Sequence, residues 1–232
     1  MSAAPVEASP KMVLYHTEQA RSFRVLWTMH ELGLKDYRLV TMPFPPRFTV
    51  PGYKKKNILG TIPYFMDGED TRMTESCGIP LYLVEKYGPT TLKVSPEEPE
   101  YGAFINWITH ADATLTFPQT VYMRFVLQEP KRNLGEAGSA YAKWFFARLA
   151  LVDQTLVDGR EFLCGGRFTI ADICVSYSLL LANTLGLDKK FGPFKPQTKA
   201  YLERLRQRPA FLAACEEEKE SRKAWDEGRS KL

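Results

Sequence analysis

The sequence predicts an α/β N-terminal half followed by an all-α C-terminal half. Up to residue 88, short apolar runs of strand length alternate with longer runs of helical periodicity. From about residue 97 onward we find helical periodicity and no convincing strand. Residues 89–96, which lie between the two halves, carry proline, threonine and serine and are typical of a linker. These three observations define the fold class.

The first half is predicted to contain a β-α-β unit followed by a β-β-α unit, which together give a small sheet with helices packed on it. Phe23, Leu26 and Trp27 have the spacing of one helix face, and Gly33 is a stop signal for that helix. Asp67-Gly68 is a hairpin-type turn signal. The predicted elements are a strand over 12–15, a helix over 22–33, a strand over 37–41, a loop with one helical turn over 42–57, strands over 62–65 and 71–74, and a helix over 76–88.

The second half is predicted to consist of helices. Pro118 should kink or break the first of them near Phe117. Thr169 can cap a later helix while Asp172 reaches back to the N–H of the cap, which predicts a capping box. The predicted helices cover 98–128, 138–158, 169–186, 196–208 and 209–223. The predicted domains are a disordered tail over 1–11, a sheet domain over 12–88, a linker over 89–96 and a helical domain over 97–232.

The composition argues against several classes of protein. The net charge is only +4 and no dense basic stripe carries interleaved aromatics, so no nucleic-acid partner is expected. The longest apolar runs, such as 173–182, are too short for a membrane span, and the N-terminus lacks the features of a secretory signal. The four cysteines are widely spaced and form no CxxC pair, which argues against a metal site and against disulfides. We therefore expect a cytoplasmic protein without metal.

A proline stands inside the predicted third strand, in the sequence Ile62-Pro63-Tyr64-Phe65. Proline has no N–H to donate to a sheet ladder, so its position there is unusual. One possibility is a trans proline in an edge strand. The other is a cis Ile62-Pro63 bond, which would turn the N–H and C=O of Ile62 outward. Those groups could then pair with an extended peptide that lies antiparallel to the chain.

Glu75 precedes the next predicted helix, and Ser76 stands at its N-terminus. Ser76 offers a hydroxyl and exposed N–H groups to an anion, and Glu75 offers a carboxylate to an ammonium group. Simple helix capping is the alternative, and both roles can hold at once. Together with free main-chain groups at Ile62, these residues predict a site for a small zwitterionic peptide and favour the cis proline.

Two stretches together resemble the glutathione transferases, of the cytosolic and bacterial-like type. They are NILGTIPYF…DGE…TESCGIPLYLVEKYG, within 57–88, and FLCGGRFTIADICVSY, over 162–177. The resemblance covers roughly residues 12–215 and implies a thioredoxin-like N-terminal domain, glutathione as co-substrate and a homodimer. It implies that the turn formed by Thr61, Ile62 and Pro63 binds glutathione through the main chain of Ile62. It also implies that Glu75 and Ser76 hold the γ-glutamyl end.

Three hydroxyl groups are candidates for activating the glutathione thiol, because the resemblance implies that a donor stabilises its thiolate. Ser22 is preferred, since the start of a helix also favours an anion, although it could equally be an N-cap. Thr17 in the preceding loop and Tyr15 at the strand end are the other two. Serine-type members often carry the hydroxyl two residues before Ser22, where this sequence has Ala20. No cysteine precedes residue 77, so glutathione must supply the sulfur.

The second substrate is expected between the sheet domain and the first long helix. Apolar and aromatic residues recur there at helical spacing, which favours a pocket for a hydrophobic electrophile but is also typical of a core. The predicted pocket residues are Phe104, Trp107, Ile108, Ala111, Phe117 and Tyr122. The same long helix and the helix that follows Ser76 are the expected homodimer interface.

The leading functional prediction is transfer of glutathione to a hydrophobic electrophile. Ether cleavage, dehalogenation, isomerisation and peroxide reduction use the same thiolate and are alternatives. A non-catalytic glutathione-binding interaction protein is a further alternative, because a fold does not fix its function.

Overall fold

A computed structural model describes residues 11–230 and residue 232. Apart from Lys11, the predicted disordered tail lies outside the described residues. The strands are β1 (Met12–His16), β2 (Tyr37–Thr41), β3 (Tyr64–Asp67) and β4 (Thr71–Met73). The helices of the first half are α1 (Phe23–Glu31), α2 (Pro46–Thr49), α3 (Tyr53–Lys56) and α4 (Gly78–Lys86). Those of the second half are α5 (Tyr101–Thr109), α6 (Phe117–Tyr122), α7 (Gly135–Thr155), α8 (Ile170–Thr184), α9 (Leu187–Phe191), α10 (Pro196–Leu205) and α11 (Pro209–Asp226).

The strands form one mixed sheet in the order β2-β1-β3-β4. β1 and β2 run parallel and are connected through α1, whereas β3 is antiparallel to both of its neighbours, β1 and β4. This is the predicted β-α-β and β-β-α arrangement, and helices follow it to the end of the described chain. The predicted fold class is therefore confirmed. Within the described residues, no helix is long and apolar enough to cross a membrane.

Pro63 lies just outside the sheet. β3 begins at Tyr64, so the predicted start of this strand at Ile62 is wrong. The physical reason is the missing N–H of Pro63, which cannot contribute to a ladder. The Ile62-Pro63 bond is cis, as predicted, and so are the bonds before Pro45 and Pro89.

Several other boundaries differ from the prediction. Two single-turn helices, α2 and α3, replace the one turn expected over 42–57. The first long helix is divided into α5 and α6, because residues 110–116 between them are π-helical and Pro118 occupies the first turn of α6. A proline there lacks the N–H that would continue the hydrogen-bond ladder of the preceding turn. The short helix α9 was not predicted.

The capping box predicted at the start of α8 is present. The Thr169 side chain accepts a hydrogen bond from the Ala171 N–H at 3.2 Å, and Asp172 Oδ2 accepts one from the Thr169 N–H at 2.9 Å. Oδ1 of the fully buried Asp172 also accepts from the Leu163 N–H at 3.0 Å and from the Tyr201 hydroxyl at 2.9 Å. The carboxylate therefore joins α8, α10 and the preceding loop as well as capping its own helix.

One core extends through both halves of the chain. It includes Leu14 of β1, Trp27 of α1, Ile108 of α5 and Phe211 of α11, all of them buried. The segment predicted as the linker contributes to it, because Leu92 is buried and its carbonyl accepts a hydrogen bond from the Ile170 N–H at 2.8 Å. A smaller cluster, which includes Tyr15, Val40 and Tyr53, forms a separate core. α11 packs against α1 and β2, so the C-terminal helix lies against the sheet domain.

Candidate functional site

A cavity of about 400 Å³ lies between the sheet domain and the helical domain. On the sheet-domain side it is lined by Thr17, Glu18, Gln19, Ala20, Arg21, Phe44, Pro46, Arg47, Gly60, Thr61 and Ile62. On the helical side it is lined by Thr120, Met123, Arg124, Gln128, Tyr177, Leu181, Thr184 and Leu185. The cavity is thus bounded by the loop between β1 and α1, by the turn before β3, and by residues of α6 and α8.

The turn before β3 leaves the main chain of Ile62 available. The paired register of β1 and β3 ends with Tyr15 opposite Tyr64. Beyond it, within residues 11–230, we find no hydrogen bond to the N–H or C=O of Ile62. The neighbouring Thr61 carbonyl is fixed, because it accepts from the Tyr53 hydroxyl at 2.8 Å and from Asn57 Nδ2 at 2.9 Å. An extended peptide in the cavity could therefore pair with Ile62.

Glu75 and Ser76 stand apart from the residues that line this cavity. Glu75 is exposed, so its carboxylate is open to a ligand. Ser76 is 3% exposed, and its Oγ accepts a hydrogen bond from Arg24 Nη1 at 2.7 Å. That oxygen is an acceptor here, so the hydroxyl proton of Ser76 remains able to donate.

Arg24 is a buried charged residue beside Ser76 that was not predicted from the sequence as part of the site. Its guanidinium is fully buried, and Nη1 forms an ion pair with Asp112 Oδ1 at 2.9 Å in addition to its bond to Ser76. Its remaining hydrogen bonds go to the main-chain oxygens of Ala111 and Cys174 and to the hydroxyls of Thr116 and Ser178. Arg24 therefore links Ser76, in the segment before α4, to α8 and to the π-helical segment. A charged residue inside the apolar run of α1 was the available signal.

The electrostatic environment keeps Arg24 charged. Burial by itself lowers the pKa of the guanidinium, but the neighbouring Cys77, Cys174 and Asp112 raise the pKa, and the net result is a value above the ordinary one. The ring of Tyr177 lies 4.6 Å from the guanidinium carbon, and this cation–π contact also favours the charged form.

The three candidate hydroxyls lie in different environments. Tyr15 is buried in the smaller core, with ring-centroid distances of 6.0 Å to Tyr53 and 5.8 Å to Tyr64. Ser22 is fully buried, and its Oγ accepts from the Thr17 N–H at 3.4 Å instead of capping α1. Of the three, Thr17 is the one that lines the cavity, and its hydroxyl donates to the Met42 carbonyl at 2.9 Å.

The predicted pocket residues lie away from the cavity. Five of them, Phe104, Trp107, Ile108, Ala111 and Tyr122, are buried in the main core, and Phe117 is 54% exposed. For these five residues, the alternative interpretation holds: the apolar residues at helical spacing belong to a core. The helical wall of the cavity comes instead from more polar neighbours such as Thr120 and Arg124 and from α8. A stripe at helical spacing shows that a face is buried, but not whether protein or ligand covers it.

Gln19 lines the cavity and was not predicted from the sequence as a site residue. Its φ is 58°, in the left-handed region that residues other than glycine rarely adopt. Its main-chain N–H donates to Glu218 Oε2 at 3.1 Å, and its carbonyl accepts from the Tyr177 hydroxyl at 3.2 Å. Burial raises the pKa of Tyr177 above its ordinary value, so this hydroxyl stays protonated and able to donate. Within the described chain, no group of three His, Cys, Asp or Glu side chains is arranged to hold a metal ion.

Comparisons with known proteins agree with this class of fold. Residues 14–91 match the model of the glutathione S-transferase N-terminal domain, and residues 145–209 match that of the C-terminal domain. Glutathione S-transferase 3 of Schizosaccharomyces pombe is 26% identical over 222 residues, which cover 88% of this chain and 87% of that protein. A glutathione transferase structure from Methylococcus capsulatus superposes with a TM-score of 0.73 at 25% identity, over 89% of this chain and 98% of the other.

A fungal structure shares the same fold. The glutathione transferase URE2P6 of Phanerochaete chrysosporium superposes with a TM-score of 0.75 at 24% identity, over 91% of this chain and 98% of the other. The fold defines a protein with a thioredoxin-like domain and a helical domain, with a cavity between them. The chain belongs to the glutathione transferase family.

Proposed function

We propose that the protein is a glutathione transferase that activates the thiolate of glutathione for attack on an electrophile. The observation that carries the proposal is the main chain of Ile62 at the wall of the interdomain cavity, for which we find no hydrogen-bond partner among the described residues. Glutathione is an extended tripeptide, and its cysteinyl N–H and C=O can pair with a free strand edge. That pairing would bring its sulfur into the space between the two domains.

The rest of glutathione would lie between Ile62 and the residues before α4. The exposed Glu75 carboxylate is proposed to bind the ammonium group, and the hydroxyl of Ser76 to donate to the α-carboxylate. Arg24, bonded to Ser76 at 2.7 Å, holds that hydroxyl in place and adds positive potential nearby. URE2P6 was crystallised with oxidized glutathione, which supports this choice of ligand for the shared fold.

The second substrate is proposed to occupy the helical side of the same cavity. Met123, Leu181 and Leu185 supply apolar surface there. A related Phanerochaete chrysosporium protein, Ure2p5, was cocrystallised with 1-(S-glutathionyl)-2,4-dinitrobenzene, the conjugate of an aromatic electrophile. This supports an aromatic electrophile as the first class of compound to test. Because other reactions begin from the same thiolate, ether cleavage, dehalogenation, isomerisation and peroxide reduction remain the alternatives, together with non-catalytic binding.

The primary experiment is a calorimetric titration of the native chain with glutathione, followed by conjugation assays with a panel of electrophiles. Glu75→Ala should weaken glutathione binding by roughly 1.5–3 kcal/mol, because it removes a charge-assisted hydrogen bond. Glu69→Ala, which removes an exposed carboxylate from the turn between β3 and β4, is the matched control and should bind normally. Equal affinity in both variants would contradict the placement of the γ-glutamyl group. Binding without any turnover would favour the non-catalytic alternative.

We also propose that the protein is a cytoplasmic homodimer, with α4 and α5 at the interface. The family membership supports this assembly. Sedimentation velocity over a range of concentrations tests it, and a monomer at every concentration would reject it.

A further inference from the structure

The loop between β1 and α1 is held in place by the helical domain. The N–H of Gln19 is bound by Glu218 of α11 and its C=O by Tyr177 of α8, at 3.1 and 3.2 Å. Both main-chain groups of this left-handed residue are thus fixed by side chains that are distant in sequence. A conformation that costs free energy persists where its surroundings determine it, and such residues cluster at functional sites.

Glu218 is a buried anchor for this loop. Its side chain is 6% exposed, and Oε2 lies 3.0 Å from Nε2 of the fully buried His16, the last residue of β1. The same Oε2 accepts the Gln19 N–H. A buried carboxylate is costly unless it is paired and hydrogen-bonded, so the two contacts favour one arrangement of the helix and the loop.

The side chain of Gln19 then presents a hydrogen-bond donor to the cavity. Thr184 Oγ1 donates to Gln19 Oε1 at 3.4 Å, which orients the carboxamide. The NH₂ group has two N–H donors, and among the described residues we find no acceptor for either of them. Gln19 is exposed and lines the cavity together with Ile62.

The three hydroxyls predicted from the sequence are poorly placed to donate a hydrogen bond into the cavity. Ser22 and Tyr15 are buried and are not among the residues that line the cavity, although Ser22 Oγ contacts the N–H of the lining residue Thr17. The Thr17 hydroxyl already gives its proton to the Met42 carbonyl. The carboxamide of Gln19 is on the same loop, and within residues 11–230 we find it engaged only as an acceptor.

We propose that the Gln19 carboxamide donates a hydrogen bond to the glutathione sulfur and favours its thiolate, with Glu218 as a positioning residue. This inference rests on the proposed function. The step is an ionisation: the S–H bond breaks, its proton passes to solvent, and the electron pair stays on sulfur. Arg21, which also lines the cavity, adds a positive charge and is kept constant in the test.

The test compares Gln19→Gly with Gln19→Asn. Glycine and asparagine both tolerate the left-handed conformation, so neither variant should strain the loop, but only asparagine keeps a carboxamide. Ultraviolet titration of bound glutathione should give a thiol pKa about one unit higher in Gln19→Gly than in the native protein. At a pH below that pKa, this rise corresponds to a tenfold smaller thiolate fraction. We expect kcat at neutral pH to fall by a similar factor while KM for glutathione changes little. Gln19→Asn should show a smaller shift.

A second pair of variants tests the positioning role. Glu218→Met keeps the approximate volume of the side chain but has no oxygen acceptor, whereas Glu218→Gln keeps one. The thiol pKa should rise more in Glu218→Met than in Glu218→Gln, and thermal unfolding is measured alongside. Glu218→Met with lower stability but an unchanged thiol pKa would show a purely structural residue and would overturn the positioning role.

The outcomes separate this inference from the function on which it rests. If the native chain does not bind glutathione, the proposed function fails and the inference fails with it. If glutathione binds with a lowered thiol pKa that Gln19→Gly leaves unchanged, the inference alone is overturned. A shift in Gln19→Gly that is smaller in Gln19→Asn supports it.

Discussion

Arg24→Met should destabilise the protein strongly, although the substitution keeps most of the length of the side chain. In the native protein the guanidinium joins α1 to Ser76, Asp112 and α8 through six hydrogen bonds. Methionine fills much of the same space but donates none of these bonds. The acceptors that remain must then find other partners in the protein or in solvent.

The expected decrease in the free energy of unfolding depends on which new partners each acceptor can find in Arg24→Met. Thr116 and Ser178 can bond to each other, since their hydroxyl oxygens are already 2.9 Å apart. Asp112 is 30% exposed, so water can replace part of its lost partner. The Cys174 carbonyl keeps the Ser178 hydroxyl as a donor at 3.5 Å, whereas the buried Ser76 hydroxyl loses the Arg24 donor at 2.7 Å. Breaking a buried ion pair costs about 3–5 kcal/mol, and each neutral hydrogen bond about 1 kcal/mol, so we expect a loss of about 4 kcal/mol.

Urea denaturation followed by tryptophan fluorescence measures this loss. Arg24→Lys keeps the charge but not the planar fork, and it should fall between the native protein and Arg24→Met. Arg21→Met is the matched control, because Arg21 is only partly buried, three residues away, and its free energy of unfolding should change by less than about 1 kcal/mol. A loss below about 1 kcal/mol in Arg24→Met would refute the view that Arg24 joins the two domains. Glutathione affinity should also fall, because Ser76 loses the partner that holds it.

Three further predictions follow from other contacts. Ser22→Ala removes the acceptor of the buried Thr17 N–H, so the free energy of unfolding should fall by about 1–2 kcal/mol. The thiol pKa of bound glutathione should stay unchanged in this variant. Asp172→Asn places an NH₂ group opposite buried donors and should lower stability by about 2–4 kcal/mol, whereas Tyr201→Phe removes one donor and should lower it by about 1 kcal/mol. Arg124→Gln should lower kcat/KM about threefold for a carboxylated chloronitrobenzene, and less for its neutral analogue, because Arg124 is an exposed charge at the cavity. Equal effects on the two electrophiles would contradict that last role.

The sequence by itself determined the order of elements and several local features. The period of the apolar residues distinguished strands from helices because it is a property of each segment alone. The capping box at Thr169 and Asp172 was predictable for the same reason, since all of its atoms lie within one helical turn. The cis bond before Pro63 was predictable because proline has no N–H for the ladder and because Glu75 and Ser76, which favour a peptide site, follow closely in the sequence.

The tertiary structure decided which residues meet at the cavity. The stripe of aromatics on α5 could face protein or ligand, and only packing showed that most of it is core. Arg24 and Asp112 are 88 positions apart in sequence, and Gln19 and Glu218 are 199 apart. No local pattern records such pairs, because they form only when the π-helical segment 110–116 and α11 dock against the sheet domain. The free energy of that docking, rather than any propensity of the loop, fixes the left-handed conformation of Gln19 and the donor that it presents.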